Sequence, residues 1–186
     1  MHRRFVVVSG LPASGKTTLA QQLATRLRLP LLDKDAILEQ LFDLRGAGDH
    51  TWRRTLSNES DLILKSKAIA SNGAVLVSHW QLPGMSPDSG TATEWLAQLS
   101  DRIVHVQCIC PAEIAATRFV QRQRHTGHLD SAKTHFEVLA SIQAVASLGA
   151  LNIDPRVDVD TSLPPAIEDV VRDVHGAFSA LRQVTS

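Results

Sequence analysis

Short apolar runs along this chain alternate with stretches whose apolar residues recur every three or four positions. The runs predict five strands, at Phe5–Val8, Leu29–Leu32, Ala74–Ser78, Ile103–Ile109 and Val157–Val159. Between them the spacing is helical. Leu19, Leu23 and Leu27 form one stripe in Lys16–Leu27, and Ile37, Leu38, Leu41 and Phe42 do so in Ala36–Phe42. Further helices are predicted at Thr51–Ser71, from Pro111 to about Gln123, at Ser131–Leu148 and at Pro165–Leu181. Strand and helix in turn imply a mostly parallel sheet, covered on both faces and joined by right-handed crossovers. No internal repeat or low-complexity tract interrupts this order. Two loops stand out, Gln81–Gly90, rich in Gly, Pro and Ser, and His125–Asp130, which follows an arginine-rich helix end.

The first strand runs into GLPASGKTT, with Gly10, Gly15, Lys16 and Thr17 at the spacing of a phosphate-binding loop. The context that such a loop requires, a strand before it and a helix after it, is present. Glycines let the backbone bend and approach an anion. The amides from Ala13 through Ser14, Gly15, Lys16 and Thr17, with Thr18 in the first helical turn, then face phosphate oxygens at a helix N-terminus. Lys16 supplies a mobile positive charge for the β- and γ-phosphates, and the Thr17 hydroxyl is a ligand for Mg²⁺.

Composition narrows the partners. A chain of 186 residues suits one domain, and 44% hydrophobic with 20% charged residues is an ordinary globular balance. Lys plus Arg equals Asp plus Glu at 19 each, so no basic excess points to nucleic acid. No apolar run has the length of a membrane span, and the start MHRRFVVVSG is too short in its apolar part for a signal peptide. Cys108 and Cys110 fall on one face of a predicted strand, where they cannot bridge, so they read as reduced thiols of a cytoplasmic protein. A small-molecule partner is expected, with no membrane, and the chain as a monomer or homodimer.

Two acids follow the second strand in LLDKDAIL. Asp33 or Asp35 can cap the next helix, or either can serve as a base or in the outer shell of Mg²⁺, reached through water. Ligands of open parallel sheets sit beyond the carboxyl ends of strands, which places Asp35 opposite the phosphate loop. Arg118 and Arg122 are four apart and Arg124 follows, a pattern of a solvated basic face or of a lid closing on phosphates. His125, His128 and His135 come with no cysteine cluster or fourth ligand that would make a zinc site.

With GLPASGKTT, LLDKDAIL and RFVQRQRHTGHLD in this order, the chain resembles the small P-loop kinases of the AAA-family type, among them chloramphenicol phosphotransferase-like and zeta-toxin-like enzymes. The resemblance spans about residues 4–180 and implies a P-loop NTPase fold with a five-stranded parallel sheet, ATP, Mg²⁺ and transfer of the γ-phosphoryl group to a small-molecule hydroxyl. It places Asp35 at the catalytic acid position, with Lys16 and Arg122 as its catalytic partners. It also places Arg118 near the adenine, Arg122 and Arg124 near the phosphates, and Asp160 and Thr161 at the border of the adenine pocket. VLVS at 75–78, the arginine helix and TGH at 126–128 are also similar to gluconate kinases. Ser78-His79-Trp80 stands where many P-loop enzymes carry a Walker B aspartate.

The acceptor is expected between a cap and a loop. The cap segment, residues 44–72, carries Arg45, His50, Trp52, Arg53 and Arg54, and His79, Trp80 and the loop to Gly90 form the opposite wall. A lid is expected over 118–135. The leading expectation is an ATP-dependent kinase of an antibiotic or metabolite. Its alternatives are an ATP-binding regulatory protein with little phosphotransfer and a sugar-acid kinase.

Overall fold

Strand β1, Arg4–Gly10, is buried along almost its whole length, and its alternate side chains serve two different cores. The computed structural model describes residues 3–86, 88–100, 102–129 and 133–184, and everything below concerns those residues. In chain order, β1 is followed by α1 (Lys16–Leu27), β2 (Leu31–Asp33), α2 (Lys34–Arg45) and α3 (His50–Ala70). Next come β3 (Gly73–Val77), β4 (Ile103–Ile109) and α4 (Ala112–Gln121). The chain then forms α5 (His135–Ala146), β5 (Arg156–Asp160) and α6 (Ile167–Val184). The five strands pair in parallel in the order β2-β3-β1-β4-β5, so the expected sheet is present.

Period-two alternation divides the apolar residues between the faces. Val6 and Val8 of β1, Val75 and Val77 of β3, and Val104 and Val106 of β4 meet Leu19, Leu23 and Leu27 of α1 and Val170, Val174 and Phe178 of α6. On the other face Phe5, Val7, Ala74 and Leu76 meet Leu64 and Ala68 of α3 together with Trp80, Trp95, Leu96 and Leu99. Burial of this apolar area is the main term that holds the sheet between its helices. No helix among the described residues is long and apolar enough to cross a membrane.

Element boundaries differ from the sequence reading where backbone hydrogen bonds decide. Strand β2 starts at Leu31 rather than Leu29, because the Leu29 amide still closes α1 on the Ala24 carbonyl. Helix α2 starts two residues before the expected Ala36, capped by Asp33. Helix α4 stops at Gln121 and Arg122 is extended, so Arg118 and Arg122 do not share a helical face as their spacing implied. Helix α5 starts at His135, behind a capping box of Thr134 and Glu137. The first part of the helix expected from Ser131, and the end of the loop at Asp130, lie outside the described residues.

His105 of β4 lies fully buried, and its Nε2 stands 2.6 Å from Ser9 Oγ. Ser9 donates its own proton to Gln107 Oε1, so the imidazole Nε2 is the donor of this pair. Burial, with Arg156 nearby, pushes the His105 pKa down from 6.5 to about 4. The unfolded chain therefore takes up this proton first. Stability from His105 is complete above pH 6.5 and is lost as pH falls through the lowered pKa. The drop in melting temperature between about pH 7 and about pH 5 is expected to be smaller in His105→Gln than in the parent chain. Equal drops in thermal scans of the two proteins would remove His105 from the account of acid sensitivity.

Candidate active site

The phosphate loop occupies the turn between β1 and α1. Gly10 has φ 143°, and a Cβ there would lie 2.8 Å from the Cys108 carbonyl oxygen and from Ser14 Oγ. No other residue fits between β4 and the loop at that conformation. Ala13 and Gly15 also take positive φ, 58° and 92°, which curls the backbone amides of the loop toward one centre. Gly15 caps α1 with no side-chain hydrogen bond, so the first amides of that helix stay open to a ligand. Ser14 Oγ is buried without a hydrogen-bond partner among the described residues. Lys16 Nζ donates to the Leu11 carbonyl at 2.6 Å. Burial brings its pKa down from 10.5 to about 8, with Cys108 and Asp35 opposing and Arg122 and Arg124 adding to the shift.

The loop opens on a cleft of about 780 Å³ along the carboxyl ends of the strands. The sheet order puts the segments after β2 and β3 on one side of the loop and those after β4 and β5 on the other. Ala13, Gly15, Lys16, Thr17 and Thr18 line the floor, with Asp33, Asp35, Arg118, Arg122, Arg124 and Thr161 around them. The sequence-predicted residues thus converge on one cavity, with exceptions. Gly10 and Ser14 lie beneath the floor rather than on it. Asp160 is exposed outside the cleft, and its carboxylate accepts from the Ser162 amide at 2.8 Å, which shapes the turn after β5. Thr161 is buried, and its carbonyl and that of Ser162 receive the Arg118 guanidinium at 2.8 and 2.6 Å. Arg122 lies over the Phe119 ring at 4.2 Å.

The two acids divide their roles. Asp33 is the N-cap of α2 and accepts from the Asp35 amide at 2.9 Å. Burial, then the neighbouring Asp35 charge, raises its pKa, against hydrogen bonds from the Asp35 and Ala36 amides and the Thr17 hydroxyl. Thr17 and Asp33 therefore meet, one hydroxyl and one carboxylate beside the phosphate loop. That hard oxygen pair fits Mg²⁺. Asp35, freed from capping, sits in the first turn of α2 and pairs with Arg124 at 2.5 Å. Burial opposes its ionisation, yet Arg124, His128, Lys34 and Lys16 outweigh that and hold its carboxyl below the usual range.

The expected acceptor walls are partly rebuilt. Arg53 lines the cleft, but Arg45 is engaged by Glu59 at 2.6 Å and Arg54 faces Asp88 at 3.4 Å on the exposed surface. Trp52 packs on the cluster of Leu38, Leu41, Phe42 and Leu56, and its indole N–H donates to the Gly46 carbonyl. Trp80 is buried, with its indole N–H on the Val8 carbonyl at 2.8 Å, so it braces β1 instead of lining the acceptor side. His50 does not line the cleft, whereas His79, Asp88, Ser89 and Gly90 do. Burial, with Lys16 adding to it, pushes the His79 pKa down to about 4, so a neutral imidazole stands where an aspartate would follow β3. Lys34 and Ser57, 2.8 Å apart, complete this side and were missed by sequence reasoning. Ser57 lies one helical turn beyond Arg53, a spacing that could have marked it. No group of three or more His, Cys, Asp or Glu that could hold a metal by itself occurs among the described residues, and Cys108 and Cys110 are free and buried.

Comparison with known proteins bears on the family and the fold. The family model described as AAA domain matches residues 5–148. A shikimate kinase of Paracidovorax citrulli is 33% identical over a segment covering 37% of this chain and 43% of that enzyme, so the match spans less than half of the curated relative's length. A protein of Chloroflexus aurantiacus, provisionally assigned as a kinase, superposes with a TM-score of 0.76 at 26% identity, covering 95% of this chain and 99% of its own. A gluconokinase of Sinorhizobium meliloti gives 0.54 at 15% identity, over 98% of this chain and 94% of its own, which is a likeness of fold alone.

The division of labour between the two acids is separable by stability. Asp33→Ala is expected to lower stability by about 1 kcal/mol through the lost cap, and Asp33→Asn to leave it nearly unchanged. Chemical denaturation of both variants checks this, and an equal loss in both would take the cap away from Asp33.

Proposed function

This chain belongs to the AAA domain family, and on that premise we propose that it is a kinase that moves the γ-phosphoryl group of ATP to a hydroxyl of a small molecule. The observation that carries the reading is the placement of Asp35 in the same cleft as Lys16 and the loop amides, with its side chain free of any capping duty. The phosphate chain of ATP lies on the amides of Ala13–Thr17, with Lys16 and Arg122 on its oxygens. Arg118, Thr161 and the segment after β5 border the base. The Thr17 hydroxyl and the Asp33 carboxylate would hold Mg²⁺, which would supply positive charge against the phosphates during transfer.

The acceptor lies on the β2–β3 side. Its hydroxyl oxygen attacks the γ-phosphorus and passes its proton to Asp35, while the bond from phosphorus to the β,γ-bridging oxygen breaks and its electron pair leaves with ADP. Arg124 must leave Asp35 for the phosphates before that carboxylate can take a proton, since their pairing lowers its basicity. Arg53 supports an acceptor that carries a carboxylate or phosphate. Its Nε is buried with no hydrogen-bond partner among the described residues, and an anion supplies one. The neutral His79 at the end of β3 supports a second reading, nucleotide binding with little phosphotransfer.

The test is a mass-spectrometric screen with Mg·ATP against hydroxy acids, nucleosides, aminoglycosides and chloramphenicol. Phosphorylated product from the hydroxy acids is expected. ATP binding with no product in any class would favour the second reading. Once an acceptor is found, Asp35→Asn is expected to lower kcat by about 10²–10⁴-fold with KM for ATP little changed. An unchanged kcat would defeat the assignment of Asp35 as base. In calorimetry, Lys16→Ala is expected to weaken Mg·ATP by at least about tenfold, and equal affinity would move the phosphate site elsewhere.

A further inference from the structure

Asp35, Glu39 and Asp43 recur every fourth residue along α2 and so form one stripe. Each faces one basic or imidazole side chain of the segment after α4. Arg124 meets Asp35 at 2.5 Å, His128 Nε2 meets Glu39 Oε1 at 2.8 Å, and His125 Nε2 meets Asp43 Oδ1 at 3.3 Å. Between the acids, Phe42 stacks on His125 with ring centres 5.3 Å apart and meets the edge of His128 at 5.7 Å. Gly127 closes the contact, since a Cβ there would lie 2.5 Å from the Phe42 ring. The short 3₁₀ turn Thr126–His128 is thus fitted to α2 by shape as well as by charge.

The tautomers follow from the partners. A carboxylate only accepts, so His128 Nε2 carries a proton toward Glu39. His125 Nδ1 accepts from the Gly127 amide, so its Nε2 carries the proton toward Asp43. The contacts differ in weight. The His125–Asp43 pair is open to water, with Asp43 71% exposed, and contributes little. The His128 side chain is only 1% exposed, which makes its hydrogen bond to Glu39 the strong one of the two.

We propose that Glu39, Phe42 and His128 are positioning residues that anchor the 125–129 turn on α2 and thereby set Arg124 against Asp35. Arg124 is reached from the anchor by only three peptide bonds to Gly127, so its transfer from Asp35 to a ligand is a local swing about a fixed point. The functional meaning of Arg124 and Asp35 rests on the kinase reading, but the anchor itself does not.

The test uses the full chain without nucleotide or acceptor. Hydrogen exchange is followed across 124–129, and the Asp35 carboxyl is titrated by carbon NMR. Glu39→Ala is expected to speed exchange in that segment by at least about tenfold and to move the Asp35 titration up, as Arg124 leaves it. Glu39→Gln is expected to restore both, because its amide oxygen still accepts from the His128 Nε2–H. Should the alanine variant fail to fold, Phe42→Leu keeps an apolar side chain in the core while removing the ring on which His125 and His128 pack, and faster exchange confined to 124–129 is the expected result. Unchanged exchange and titration in Glu39→Ala, equal loss in the alanine and glutamine variants, or an unchanged segment in Phe42→Leu overturns the proposal. Absence of phosphotransfer together with a protected, glutamine-rescued segment would instead sink the kinase reading and leave the anchor standing.

Discussion

Close approach of the chain at Gly10 is the constraint on which the site depends. Strand β1 is buried between β3 and β4 and must turn directly over Cys108, where a Cβ would be 2.8 Å from the neighbouring carbonyl. The turn is therefore tight, its amides point inward, and α1 starts from Gly15 with its first amides uncapped. Such a helix start, facing a cleft, favours an anion. Lys16 is held in the same place with its pKa brought down to about 8, so a phosphate group there would both fill the amide cradle and favour the ammonium form.

Around that cradle the charges are arranged in competition. The Arg122 and Arg124 charges lower the Lys16 pKa and the Asp35 charge raises that of Asp33, which leaves Lys16 and Asp33 sensitive to what enters the cleft. The Asp35–Arg124 pair relieves part of this. A ligand rich in phosphate offers Arg124 a second partner, and the carboxylate then regains its basicity. On the proposed kinase reading, binding and proton transfer are linked through this one guanidinium.

Much of this was readable in the sequence, and the remainder depended on tertiary contacts. The five strands and the phosphate loop follow from apolar runs and glycine spacing, which are local signals. The sequence does not decide between cap and chemistry for Asp33 and Asp35, since both sit where a helix starts and only the backbone bond from the Asp35 amide decides. Trp80 and Trp52 were read as pocket walls because an aromatic beside a polar loop fits either role. Their indole N–H groups find the Val8 and Gly46 carbonyls, 72 and 6 residues away in sequence, and only the first of these distances is beyond any local pattern. The histidines after α4 carry no metal-site signal in the sequence, and their partners on α2 cannot be found by spacing, because Glu39 and His128 are 89 residues apart.

The central claim, that this cleft moves the γ-phosphoryl group of ATP to an acceptor hydroxyl, is tested most directly by following oxygen isotopes. ATP carrying ¹⁸O at all non-bridging γ positions is incubated with Mg²⁺, the protein and a hydroxy-acid acceptor, and the products are weighed by mass spectrometry. The account expects the three labelled oxygens to arrive intact on the acceptor, with the bridging oxygen coming unlabelled from its own hydroxyl. Labelled inorganic phosphate formed beside an unmodified acceptor would contradict it.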